Sequence, residues 1–141
     1  MKKLLLLLVL CVPFATQAAE KSPSDMTPPE LCSTIASKVM ASGELPIKSE
    51  HLTLYKVTCE NETQLVYHGT MTDIPSVVNW QDVLTKMIDY RACHTLQFAT
   101  LVEHGVDIVN VYEFNNKELL RIVTTNEVCH KMWDQELKQQ P

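Results

Sequence analysis

A small, disulfide-stabilised α+β domain is the fold class this sequence predicts, and three observations predict it. Strand-like alternation comes in two pairs, 51–59 with 63–70 and 106–114 with 119–124, each split by a short polar turn. Helical periodicity fills the stretches before, between and after those pairs. Four cysteines, Cys32, Cys59, Cys93 and Cys129, fall on or beside these segments. The order is α-ββ-αα-ββ-α. Strands gathered in hairpins imply a small antiparallel sheet built from two β-hairpins with flanking helices.

The chain opens with Met1-Lys2-Lys3, a nearly unbroken apolar run over 4–14, and the small residues of Ala15-Thr16-Gln17-Ala18-Ala19. This is the layout of a secretory signal peptide, with 1–19 removed on export. The apolar run is shorter than the ~20 residues a membrane span needs. No later stretch is long enough either, so no transmembrane helix is expected. An outer-membrane lipid anchor on Cys11 is disfavoured, because bulky Leu10 precedes it where lipoprotein processing generally wants a small residue. Residues 20–26 read as a flexible lead-in, 27–137 as a single domain, and 138–141 as a disordered tail.

Thr27-Pro28-Pro29-Glu30 starts the first helix: Thr27 caps, Pro28 fits the first helical position, and Glu30 completes a capping box. Leu31, Ile35 and Val39 mark its apolar face, and Gly43 ends it by allowing a left-handed conformation. Leu45-Pro46-Ile47 is an extended connector. In the first hairpin, simple alternation puts Leu52 and Leu54 on one face and Tyr55, Val57 and Cys59 on the other. Its turn, Glu60-Asn61-Glu62, overlaps an Asn61-Glu62-Thr63 sequon, an incidental match behind a bacterial-type leader.

After a loop around Pro75, Asn79 is placed to cap a second helix. Trp80, Val83, Leu84, Met87 and Ile88 give it the clearest amphipathic stripe in the chain. A shorter third helix carries Leu96, Leu101 and Val102 and stops at Gly105. The second hairpin turns at Asn115-Asn116, residues that tolerate positive φ. Thr124-x-x-Glu127 then offers a cap for a last helix with Val128, Cys129, Met132 and Trp133.

Four cysteines in an exported chain read as two disulfides, with three pairings open. The element order favours Cys93–Cys129, tying two helices across the second hairpin, and Cys32–Cys59, tying the first helix to the first hairpin.

The charge balance excludes one class of partner. Without Lys2 and Lys3, ten basic side chains stand against seventeen acidic ones, a formal charge of −7. Phosphate backbones are repelled, so no nucleic-acid binding is expected. Cys93-His94 and Cys129-His130 suggest a Cys₂His₂ metal site, but adjacent ligands are poorly spaced for zinc. Paired cysteines also leave no thiolate for a Cys–His nucleophile. There is no Gly-x-Ser-x-Gly, no His-Glu-x-x-His and no glycine-rich phosphate loop in a chain with three glycines. His51, His68 and His104 are isolated, and Asp82 and Asp89 read as a solvated helix face. The chain is therefore read as a non-enzyme with no catalytic, cofactor-binding or metal residues. The stripe on the second helix reads first as core. A groove between a helix and a sheet would suit an amphipathic peptide helix, but periodicity does not identify the partner-binding residues.

Several short strings carry a family likeness: Leu45-Pro46-Ile47-Lys48-Ser49, Tyr90-x-x-Cys93, the run Leu101-Val102-Glu103-His104-Gly105-Val106, and Thr124-Thr125-x-x-x-Cys129. Over roughly 44–129 the chain resembles the beta class of type II secretion pilotins, small outer-membrane lipoproteins of Gram-negative bacteria. The resemblance implies a small antiparallel sheet with flanking helices, Cys93–Cys129 as a shared disulfide, and no cofactor. It also implies a protein partner, the C-terminal segment of a secretin subunit, escorted to the outer membrane. The expected function is that of a non-catalytic periplasmic protein binding a helical segment of a secretin or another secretion- or pilus-system component. The alternative is a soluble exported effector or virulence-related protein on the same scaffold.

Overall fold

The computed structural model describes residues 21–141; the leader, its cleavage point and Cys11 lie outside the described residues. Pro23–Asp25 form a 3-10 turn, and Met26 packs against the core, so part of the expected lead-in is structured. The capping box forms as the sequence predicts. Thr27 Oγ1 accepts from the Glu30 amide at 3.4 Å, Glu30 Oε2 accepts from the Thr27 amide at 3.0 Å, and α1 (Pro28–Ala41) follows. Gly43 turns the chain out at φ +75°.

The sheet has five strands in the order β1-β2-β3-β4-β5: β1 (Ile47–Lys48), β2 (Leu52–Glu60), β3 (Gln64–Met71), β4 (Asp107–Phe114) and β5 (Lys117–Thr124). The α+β class and the α-ββ-αα-ββ-α order stand, and both expected hairpins form. Two features of the sheet differ from the expectation. The connector contributes a short fifth strand, with Ile47 opposite Leu54 and Lys48 opposite Thr53. The sheet is also mixed rather than wholly antiparallel, because β3 pairs with β4 in parallel, from Gln64 beside Asp107 to Thr70 beside Glu113. The physical reason is the crossover. Two helices, α2 (Trp80–His94) and α3 (Leu96–Glu103), carry the chain back to the end where β3 began. A connection of that length joins neighbouring strands pointing the same way.

A β-bulge between Leu54 and Lys56 revises the faces of β2. The extra residue, Tyr55, shifts the alternation by one. Leu52 and Leu54 therefore share a face with Val57 and Cys59, opposite Met71, Gly69, Tyr67 and Leu65 in turn. Tyr55 points the other way, and its hydroxyl donates to Glu113 Oε2 at 3.1 Å.

The apolar side chains of all four helices cluster on that one face of the sheet. The larger cluster joins Leu31, Cys32 and Ala36 of α1 and Leu101 and Val102 of α3 to Val57, Leu65 and Ile108, with Cys93 and Cys129 buried among them. The opposite face holds a separate patch of Val66, Val109 and Val111. The last helix, α4 (Asn126–Gln139), continues two residues into the stretch expected as tail. Its cap is Thr125 rather than Thr124, with Thr125 Oγ1 accepting from the Val128 amide at 3.3 Å. Thr124 stays at the end of β5 and is fully buried.

Both disulfides are those the element order favours. Cys32–Cys59 joins α1 to β2 across a Cα–Cα distance of 5.6 Å, and Cys93–Cys129 joins α2 to α4 across 5.2 Å.

Candidate functional site

The amphipathic stripe on α2 does not seat as one core-facing strip. Ala92 and Cys93 are buried, while Trp80, Leu84 and Ile88 are half-buried against Met71, Tyr112 and Ile122. Val83 and Met87 remain 58 % exposed. The cause is where the helix is fastened. Its C-terminal end is bonded to α4 through Cys93–Cys129, and Trp133 Nε1 donates to the Cys93 carbonyl at 3.2 Å. Its middle is held to β5 by the Thr124 hydroxyl, which donates to Asp89 Oδ1 at 2.6 Å. Asp89 is thus half-buried and bonded, not part of a freely solvated face. Burial pushes its carboxyl above the usual aspartate range, against the lowering effect of the Thr124 bond. Asn79, expected as the α2 cap, is left-handed at φ +61° and makes no side-chain cap bond.

With α2 held on the β5 and α4 side, a groove opens between it and the β1–β2 side of the sheet. It consists of two adjoining cavities of about 520 and 380 Å³ that share Leu52, Leu84, Met87 and Tyr112. The floor is the helix-side face of the sheet, including Leu54, Tyr67 and Asn110. The shallower end is bounded by Pro75 and by Val77, which is 63 % exposed. Gly69 matters to the floor because a Cβ there would stand 2.9 Å from Leu52 Cδ1 and 3.3 Å from the Tyr112 ring. Its bare Cα lets these two side chains close over β3. Burial raises the Tyr67 and Tyr112 hydroxyls above the ordinary tyrosine range, and for Tyr112 the nearby Arg91 charge opposes the rise.

The other candidate residues are not brought together. His51 lies at the groove rim, with Nδ1 2.9 Å from Asp73 Oδ1. His68 is on the opposite sheet face, with Nε2 2.9 Å from Thr58 Oγ1 and 3.2 Å from Glu60 Oε1. His104 caps its own helix end, Nδ1 being 3.0 Å from the Thr100 carbonyl. The two Cys-His dipeptides separate in the same manner. Their sulfurs are bonded to each other, His130 stands edge-on to Trp133, and His94 bridges Tyr90 and Glu136. Among the described residues, no group of three or more His, Cys, Asp or Glu side chains could hold a metal ion. No helix there is long and apolar enough to cross a membrane.

Sequence reading found the stripe on α2 and named a helix–sheet groove as the surface for a helical partner, but not which residues line it. One signal was available: Arg91 follows Met87 by four residues, placing a charge in line with the apolar stripe.

No family model matches the chain, and no curated protein matches it. Solved structures do. A protein of Pseudomonas aeruginosa thought to be secreted shares 14 % identity at a TM-score of 0.60, covering 74 % of this chain and 97 % of its own. The type II secretion system pilotin AspS of Vibrio cholerae shares 17 % at 0.57, covering 72 % and 92 %. EpsS, the type 2 secretion system pilotin of Vibrio vulnificus, shares 15 % at 0.61, covering 72 % and 91 %. At these identities the likeness is one of fold: this chain has the architecture of the secretion pilotins.

Proposed function

We propose that this chain is a non-catalytic, pilotin-like binding protein of the periplasm, whose groove between α2 and the sheet takes a helical segment of a secretion-system partner. The first candidate partner is the C-terminal segment of a secretin. The observation that carries the proposal is the groove itself: an apolar floor is already formed, while Val83 and Met87 above it have no core partner. An amphipathic helix supplies what such a surface lacks, apolar side chains at i, i+3 and i+4 spacing. Fold likeness to AspS and EpsS supports the same reading. A non-catalytic role agrees with the disulfide bonding of all four cysteines in the described chain and with the scattering of His51, His68 and His104.

Export is part of the proposal: 1–19 act as a cleaved leader and the domain follows. Intact-mass measurement of the exported protein is expected to give an unlipidated N-terminus close to Glu20; a diacylated Cys11 would replace the soluble form with an anchored one. For the partner, the test is titration of a purified secretin C-terminal segment, encoded in the same genome, against the disulfide-intact protein. Saturable binding that Met87→Glu abolishes supports the proposal, and binding indifferent to that substitution removes the groove from it.

A further inference from the structure

The groove carries one permanent charge. Arg91 stands one turn beyond Met87 on the wall, and Asn110 supplies an amide on the floor of the same cavity. Among the described residues, neither side chain has a hydrogen-bond partner, and Arg91 has no carboxylate within ion-pairing distance. The other arginine among the described residues, Arg121, is by contrast held by both carboxylate oxygens of Glu118. The lysine and arginine side chains that do pair, Lys21, Arg121 and Lys131, find acidic neighbours on the surface. A few unengaged polar groups converging on an otherwise apolar cleft are the usual mark of a site that orients its occupant.

From this arrangement, and resting on the docking role proposed above, we infer that the groove selects an amphipathic helix carrying an acidic side chain among its apolar anchors, with Arg91 as the pairing group and Asn110 beside it. A side-chain carboxylate fits better than a chain terminus. Apolar surface lies on both sides of Arg91 in the lining of the same cavity, with Met87 before it and Phe98 after it. An occupant covering that surface runs past the arginine instead of ending there. Guanidinium also suits the task, since its planar fork meets a carboxylate through two parallel hydrogen bonds. Such a pair is partly desolvated once the helix lies over it, so its loss is felt in affinity as well as in association rate.

The test uses the exported, disulfide-intact protein and dye-labelled synthetic amphipathic helices with blocked termini, identical except for Glu, Gln or Lys at one central position. Anisotropy titration is expected to rank Glu over Gln by about tenfold and Lys last. Arg91→Gln should erase the ranking, and Arg91→Glu should invert it so that the Lys peptide binds best. That gain of binding also shows the variant to be folded. Equal binding of all three peptides overturns the charge inference and leaves the docking role standing, whereas absence of binding by every peptide overturns the docking role itself. A ranking that survives Arg91→Gln, or tight binding only by a peptide ending in a free carboxylate at that position, overturns the assignment of Arg91 to a side-chain acid. Arg91-dependent binding of dodecanoate without peptide binding overturns it in favour of a fatty-acid site.

Discussion

The surroundings of His94 constrain its protonation from both ring nitrogens. Nδ1 lies 2.8 Å from the Tyr90 carbonyl and Nε2 lies 3.0 Å from Glu136 Oε2, both acceptors, so only the imidazolium satisfies both contacts. The bond to Glu136 and then the one to Tyr90 raise its pKa above the ordinary histidine value of 6.5. A raised histidine pKa means the native state holds the proton more tightly than the unfolded chain. Its stabilisation is therefore fully present below pH 6.5 and is lost as pH rises through the folded value. In urea unfolding, His94→Gln should lower the midpoint most at about pH 6 and progressively less in alkaline solution. A midpoint difference that grows with pH would contradict this.

Asp89 acts with the same sign in a lower pH range. Its raised carboxyl pKa means that stability falls as pH rises from 3.8 through the folded value, because the native state prefers the neutral acid. Asp89→Asn keeps an acceptor for Thr124 and cannot ionise, so its midpoint at neutral pH should equal or exceed that of the unsubstituted protein. Asp89→Ala leaves the buried Thr124 hydroxyl without its acceptor and should cost about 1–3 kcal/mol. Simple patterning placed Asp89 on the outer side of α2. It missed that β5 ends beneath the helix at that point.

Among the elements, α2 is the one whose attachment governs the site. Cys93–Cys129 closes a loop of 36 residues and Cys32–Cys59 one of 27, each worth about 4 kcal/mol in the chain-entropy picture. Cys93→Ser and Cys129→Ser should destabilise equally, and the double variant little more than either alone, since both remove the same bond. Additive losses in denaturant titration would contradict a shared bond. The bond between α2 and α4 should also matter to the groove, whose wall is α2. The elements themselves were largely legible in the sequence. The Thr27 capping box, the left-handed stops at Gly43 and Gly105, and the Asn115-Asn116 turn, at φ +51° and +61°, all depend on local chemistry. The departures have local causes too. The Tyr55 bulge moved Val57 and Cys59 onto the face of Leu52 and Leu54, and no local signal separates Thr124 from Thr125 as the α4 cap when both are capping residues.

At the scale of the whole molecule, one sheet face is covered by four helices, except where α2 stands apart from β1 and β2. Met87→Glu should therefore abolish binding of a helical partner while shifting stability by no more than ~0.5 kcal/mol, as expected for a surface position. Lys56→Glu, in β2 next to the bulge and paired with His68, should leave that binding unchanged. Isothermal titration with a secretin C-terminal segment checks both, and equal losses from the two substitutions would place the binding surface elsewhere.

Sequence alone determined the features set within a few residues or by composition: the α+β order, the caps and turns, the acidic balance and the cysteines that close the two loops. Tertiary structure alone decided the parallel pairing of β3 with β4, the addition of β1, and which part of the α2 stripe is left uncovered. The reason is physical. Periodicity records that a helix face is apolar, but burial depends on where distant contacts, here Asp89 with Thr124 and Cys93 with Cys129, hold that face relative to the sheet. Met87 and Ile88 are neighbours with the same sequence signal. The placement of α2 seats Ile88 against the core and leaves Met87 to line the groove.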